Sequence, residues 1–201
     1  MSAPGTMDRI AAASPRLKAR IAGVFYLLVF VTGTLALVLT RGRTVANLIA
    51  TACYIAVILL FYDLFRPVNR KVSLLAAFVG LVGCAFGALA SFLPAPLGIN
   101  PLVFFGFYCL LIGYLIFRST FLPRILGVLM AIGGLGWLTF LSPSLARALS
   151  PYNLAPGMIG EGALTLWLLV KGVNAERWRE QARAAGTAVR VAVQPHQKGA
   201  F

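Results

Sequence analysis

One carboxylic acid stands deep inside an apolar stretch of this chain: Glu161, in Ile159-Gly-Glu-Gly-Ala163. Taken as a helix, the run 154–172 places it about seven residues in, roughly 10 Å below the outer boundary at 1.5 Å per residue. An ionisable group at that depth costs about 2.5–3.5 kcal/mol on insertion scales if it faces lipid, so Glu161 is expected to face other helices. Two readings follow. In one, Glu161 is a proton- or cation-coupled site, or a polar ligand contact. In the other it is a neutral acid cross-bonding two helices, with Asn47, Tyr108 or Tyr114 as candidate partners. The second is the simpler. No cation is placed to reach Glu161, since Arg147 lies in an outer loop and Lys171 sits toward the opposite face. An ionised, unpaired carboxylate is the expensive state there. Pro156, Gly157, Gly160 and Gly162 surround Glu161, consistent with close helix contact or with a loosened backbone lining a small cavity.

The other polar residues within apolar runs have plainer roles. Asp63 precedes Arg66 by three residues, which puts the two on one helix face as an interfacial ion pair. Asn47, one turn into the same helix, fits a capping or interhelical hydrogen bond. Phe104, Phe105, Phe107, Tyr108 and Tyr114 could line an apolar pocket, though core packing and lipid contact explain them more simply. Enzyme chemistry is not expected. The single histidine, His196, lies in the polar tail, and no HExxH, GxSxG, P-loop or GxGxxG pattern occurs. Asp63 belongs near the opposite face from Glu161, too far for a carboxylate dyad. Cys53, Cys84 and Cys109 fall inside apolar runs without CxxC spacing, so no disulfide, metal or other cofactor is expected.

The elements that must position these groups are apolar runs. The chain has 201 residues, 60% hydrophobic and 11% charged, with a mean hydropathy of +0.88. A soluble domain carries roughly 25% charged residues, so that class is excluded. Runs at about 21–39, 45–65, 73–93, 99–117, 125–141 and 154–172 are each about long enough to span a bilayer. The first is expected to be retained rather than cleaved as a signal peptide, because Thr40-Arg-Gly-Arg43 follows it without an A-x-A site. The fourth and fifth form a hairpin about Arg118-Ser-Thr-Phe-Leu-Pro-Arg124, where Pro123 breaks the helix and the arginines reach headgroups. In the third, Ala76, Gly80, Cys84 and Ala88 form a ridge beside Gly83-x-x-x-Gly87, and Gly80, Gly83 and Gly87 are expected to be helix-packing positions. Residues 142–153 are expected to be a loop with one short interfacial turn around 145–149. Residues 1–20 form a basic N-terminal segment and 174–201 a basic tail, the latter surface-lying for a turn or two and disordered beyond.

Charge sets the orientation. With six spans, fifteen of the 18 Lys and Arg fall on one side, and only Arg41, Arg43 and Arg147 on the other. The positive-inside rule then places both termini in the cytoplasm. A net charge of +13 would suggest nucleic acid in a soluble protein. Here the cations sit between apolar runs and in the tails, so anionic lipid at the cytoplasmic face is the expected partner and nucleic acid is not.

The stretches FRPVNRKVSLLAAF, FFGFYCLLIGYLIFRSTFLPRILGVLM and IGEGALTLWLLVKGV resemble the bacterial domain-of-unknown-function family 4386, over roughly Lys18 to Val173. The resemblance implies a bacterial multi-span inner-membrane protein and implies no activity. Members are usually longer before the second span and before the central hairpin. Many also carry an Arg in the third span where this chain has Gly80, so a role needing that cation is not carried over.

The expected fold is thus an all-α integral membrane protein, a six-transmembrane-helix bundle spanning 21–173. Its expected role is non-enzymatic, exercised through helix and lipid contacts. The alternative is a small transporter or channel subunit using Glu161, which in so short a chain would need a homo-oligomer. An inverted repeat would favour transport, and none is convincing between 21–93 and 99–172.

Overall fold

The computed structural model describes residues 14–39, 41–93 and 99–193. The expected basic segment ahead of residue 14, the turn at 94–98 and the last residues of the tail, His196 and Lys198 included, lie outside the described residues. The regular structure among the described residues is helical throughout.

Helix α1 runs Pro15–Val38, with the Ser14 side chain accepting from the Leu17 N–H at 3.3 Å and Pro15 at the first position. Both are start signals, because a hydroxyl satisfies an orphan N–H and proline has none to lose. Helix α2 (Arg43–Phe65) follows Gly42, and α3 (Arg70–Leu89) starts at Asn69, whose side chain accepts from the Val72 N–H at 3.1 Å. Helices α4 (Leu102–Arg118) and α5 (Arg124–Leu138) flank the Pro123 turn, and a 3-10 turn, Thr139–Leu141, extends α5. Next come the short α6 (Pro143–Leu149), α7 (Ala155–Val170) and α8 (Ala175–Val193). Gly172 (φ 67°) ends α7 in the left-handed region, where a side chain would be strained.

Five stretches are long and apolar enough to cross a bilayer: Pro15–Ala36, Arg43–Phe65, Arg70–Leu89, Arg124–Leu141 and Tyr152–Val170. A sixth, Leu102–Arg118, is apolar and 17 residues long. Each of these six helices packs on its neighbour in sequence, and α1 packs on α7 to close the ring. Ile58, Phe61, Tyr108, Ile112, Met130 and Leu164 point inward and are fully buried. Leu74, Phe78, Ile125, Leu135, Ile159 and Leu166 are exposed around the outside. An apolar rim around an apolar core is what a bundle in hydrocarbon requires, because lipid offers no reason to hide such side chains.

What draws the helices together is missing side-chain volume. A Cβ on Gly113 would lie 2.7 Å from the Gly127 carbonyl oxygen, and one on Gly127 would lie 2.6 Å from that of Gly113. Seven residues along each helix, Gly106 and Gly134 repeat the arrangement at 3.0 and 2.7 Å. The α4–α5 hairpin is therefore zipped backbone to backbone at two levels. On α7, Gly160 meets the Leu129 carbonyl at 2.5 Å in the same sense. In α3, Gly80 meets Ile58 and Tyr108, and Gly83 meets Phe104. Gly87 corrects the expectation of a packing position there: a Cβ on it meets nothing within 4 Å. It is the Gly87 carbonyl that is used, by Asn47.

Three further expectations are revised. α1 begins at Pro15 rather than near residue 21, so Arg16, Lys18 and Arg20 of the expected N-terminal segment stand on the first helix. The tail is a helix through Val193 rather than one or two turns, because Asn174 caps it, accepting from the N–H groups of Glu176 and Arg177 at 3.1 Å each. The connection 142–153 has α6 where a short turn around 145–149 is expected, and the change is an added 3-10 turn, Tyr152–Leu154. Tail and bundle meet at one end, where the Trp178 Nε1–H donates to the Leu64 carbonyl at 2.8 Å and the Asn174 N–H to that of Phe121 at 3.2 Å.

The close approaches generate a test. Gly127→Ala is expected to lower thermal stability in detergent by about 1–3 kcal/mol, the usual cost of overpacking, because backbone lies on the path of the new methyl. Gly87→Ala should leave stability unchanged or raise it by up to about 1 kcal/mol through helix propensity. Equal melting temperatures for wild type and Gly127→Ala would show that the hairpin is not closed as described.

Candidate functional site

Among the described residues Glu161 is the one buried carboxylic acid, and it is the centre of a polar cluster inside the ring. Gly157 and Glu161 share a face of α7, one turn apart. The bare Cα of Gly157 receives the indole of Trp137 from α5, so closely that an added Cβ would fall 2.2 Å from the ring. Seated there, Trp137 donates its Nε1–H to Glu161 Oε1 at 2.6 Å. From α1, the Tyr26 hydroxyl donates to Oε2 at 2.8 Å, and from α4 the Cys109 thiol lies 3.6 Å from Oε1. Tyr54 of α2 stands behind Tyr26, their hydroxyls 3.5 Å apart and their rings edge to face at 5.6 Å. One carboxyl group thus ties α7 to α1, α4 and α5.

These partners differ from those expected. Asn47 is at the far end of the bundle, donating to the Gly87 carbonyl at 3.2 Å and to the Ser91 hydroxyl at 2.5 Å, so it ties α2 to α3. Tyr114 faces outward, about half exposed. Tyr108 is inside, edge to face with Tyr54 at 5.8 Å, but its hydroxyl is buried without a protein partner. The aromatic cluster divides: Phe105 and Tyr108 pack on Tyr54, Phe104 packs on Phe86, and Phe107 and Tyr114 face out. Of the glycines around Glu161, Gly157 and Gly160 are close contacts and Gly162 has open space.

Cations stay away from this centre. Asp63 pairs with Arg66 at 3.1 Å and also with Lys18 of α1, which is buried. Together they form a clamp at the basic end, where α1 meets α2. Among the described residues these are the only ion pairs, and no cluster of three His, Cys, Asp or Glu able to hold a metal occurs.

Both carboxyl oxygens of Glu161 face donors, so the group does not present a free lone-pair cage to a bare cation. Trp137 can only donate, which fixes Oε1 as an acceptor. The Tyr26 contact is reversible: an ionised Glu161 accepts there, whereas a protonated one donates to the Tyr26 oxygen, whose own proton then turns to Tyr54. Tyr26, Trp137 and Lys18 were not singled out by sequence reasoning, and Cys109 was placed inside an apolar run without a bonding role. For Tyr26 the signal was present, since a polar-tipped aromatic far from either end of a span needs a buried partner.

The chain is similar to two things already known. A sequence family described as "Domain of unknown function (DUF4386)" matches residues 97–172, which cover α4, α5, α6 and α7. An uncharacterized protein of Archaeoglobus fulgidus is 32% identical over 127 residues, spanning 59% of this chain and 76% of the relative. No solved structure matches.

Substitution separates the two proton arrangements. If Glu161 is neutral, Glu161→Gln keeps an acceptor for Trp137 and a donor for Tyr26, and thermal stability in detergent is expected to stay at wild type. Glu161→Ala should lose about 1–2 kcal/mol and Tyr26→Phe about 0.6–1.7 kcal/mol, as interhelical bonds in membranes do. Gln as damaging as Ala would establish that the ionised form holds the ring.

Proposed function

This chain belongs to the DUF4386 family of unknown function, and we propose that it is a non-enzymatic, six-span protein of the inner membrane, working through helix and lipid contacts. Both termini lie in the cytoplasm. The 17-residue α4 serves as the sixth span, since about 17 residues suffice at 1.5 Å each for a helix packed against its neighbours. The observation that carries the reading is the closure around Glu161. Glu161, the one buried carboxyl group among the described residues, spends both oxygens on other helices of the same ring. That is the arrangement of a structural bracket, and substrate groups would have to displace three helices' contacts to reach it. The orientation is supported by where the cations gather. Lys18, Asp63 and Arg66 share an end with the α4–α5 turn and with α8.

A second reading has one observation in its favour. Tyr26 stands between Glu161 and Tyr54, and a hydroxyl so placed can pass a proton along the line. An oligomeric transporter or channel subunit using Glu161 would draw on that relay.

Reporter fusions test the proposed arrangement. Fusions after Lys71, Arg124 and Lys198 are expected to report the cytoplasm, and fusions near Arg43, Pro96 and Arg147 the far side. Exchanged signals at Pro96 and Arg124 would remove α4 as a span. For the second reading, reconstituted vesicles with an internal pH dye should show no Glu161-dependent proton entry. Entry in wild type that is lost in Glu161→Gln would place the relay reading ahead.

A further inference from the structure

Arg118 closes α4 and Arg124 opens α5. Between them, at the basic end, is a cavity of about 240 Å³ lined by Val68, Phe117, Arg118, Arg124 and Gln181. The walls come from the α2–α3 turn, the α4–α5 hairpin and α8, so the cavity exists because the tail helix folds back over the bundle. Gln181 is fixed in place: its Oε1 accepts from the Thr120 N–H and from the Thr120 hydroxyl, both at 3.1 Å. Arg177 Nη1 donates to the Thr120 carbonyl at 3.4 Å, holding the same turn. The Arg124 guanidinium lies over the Phe117 ring, 5.7 Å from its centroid, and an arginine so stacked keeps its N–H edges for another acceptor.

What those edges lack is an anion. Among the described residues Asp63 is the only carboxylate in ion pairs, and its partners are Lys18 and Arg66. The adjoining groove, about 520 Å³, is lined by Thr120, Arg177, Glu180, Gln181 and Ala184, so it adds one acid and one base. The net excess is the two arginines of the hairpin. Guanidinium groups with no carboxylate partner suit the oxygens of a phosphate, which they grip in pairs. The apolar side of the cavity decides the source of that phosphate. Phe117 is half exposed, and Ile125, which follows Arg124 in the chain, is exposed on the bundle's apolar rim, so the cavity lies next to the surface where acyl chains run. A free phosphate would leave that wall unused.

We propose that this cavity is a headgroup site for an anionic phospholipid, with the phosphate between Arg118 and Arg124 and the acyl chains along Phe117 and Ile125. It rests on the reading that the ring of helices lies in a bilayer with this end at the headgroups. It goes further by fixing one site, and by giving α8 the task of forming its lid.

The experiment uses the full chain in a non-ionic detergent with equimolar phosphatidylglycerol and phosphatidylcholine, read by native mass spectrometry. Wild type is expected to retain phosphatidylglycerol in preference. The double variant Arg118→Gln, Arg124→Gln should retain roughly tenfold less or lower still, as the loss of two interfacial cations implies. Arg147→Gln, a single charge lost at the far end, should match wild type. Should the double variant fail to fold, Arg124→Lys keeps the charge without the fork, and a severalfold loss is expected. Unchanged retention in the double variant, no preference over phosphatidylcholine, or displacement by millimolar inorganic phosphate would each overturn the proposal. Any of these with normal topology-reporter signals would sink the lipid site alone, while exchanged reporter signals would sink the membrane arrangement beneath it.

Discussion

In hydrocarbon no water stands ready to satisfy a polar group, so a carboxyl inside a bundle must find its hydrogen bonds in the protein. That constraint organises this molecule. Glu161 takes Trp137, Tyr26 and Cys109 from three other helices, and the ring can close in only one rotational register if all three are to be met. Apolar packing alone is permissive here, because lipid tails are as good a neighbour for leucine as another leucine is. The polar centre supplies the specificity that the apolar faces lack. Gly157 illustrates the coupling: its bare backbone admits the indole, and the indole's position aims the N–H.

The second support is contact between main chains. Gly113 with Gly127 and Gly106 with Gly134 bring α4 and α5 close enough that carbonyl oxygens occupy the space a methyl group would need. Close approach maximises dispersion contacts over the length of both helices, the main attractive term left when burial from water is not at stake. It also holds the 17-residue α4 firmly against α5.

Much of this was legible in the sequence, and the exceptions have physical reasons. Six apolar runs, the break at Pro123 and the Asp63–Arg66 pair follow from rules that act within a few residues, so the sequence carries them directly. Asn47 was recognised as a bonding residue, though not which helix it would reach. Tyr26 was missed as a partner of Glu161 because it depends on ring closure by α1 against α7, a contact between residues far apart in the chain, and Trp137 because its aim depends on the seat that Gly157 leaves for the indole. Gly83 and Gly87 read alike as a motif, yet only Gly83 has a neighbour to meet. A spacing pattern records one helix and says nothing of where the next one ends. The tail misled for another reason: its many charges read as disorder, while Asn174 and the alanines of 175–193 favour a capped helix. Ser14-Pro15 was a start signal of the same local kind, hidden by the basic residues that follow it.

The bond from Tyr26 to Glu161 spans 135 positions of the chain. A ribosome adding about 5–20 residues per second needs roughly 7–27 s to cover that distance. For all that time α1 is already made while its closing partner is not, and it must rest against lipid, α2 or the insertion machinery. The α4–α5 hairpin needs no such wait, since its glycines meet as soon as the second helix turns back. Biogenesis is therefore ordered by sequence distance: neighbouring helices pair during synthesis, and the ring shuts only when α7 brings the acid to the tyrosine that has been waiting for it.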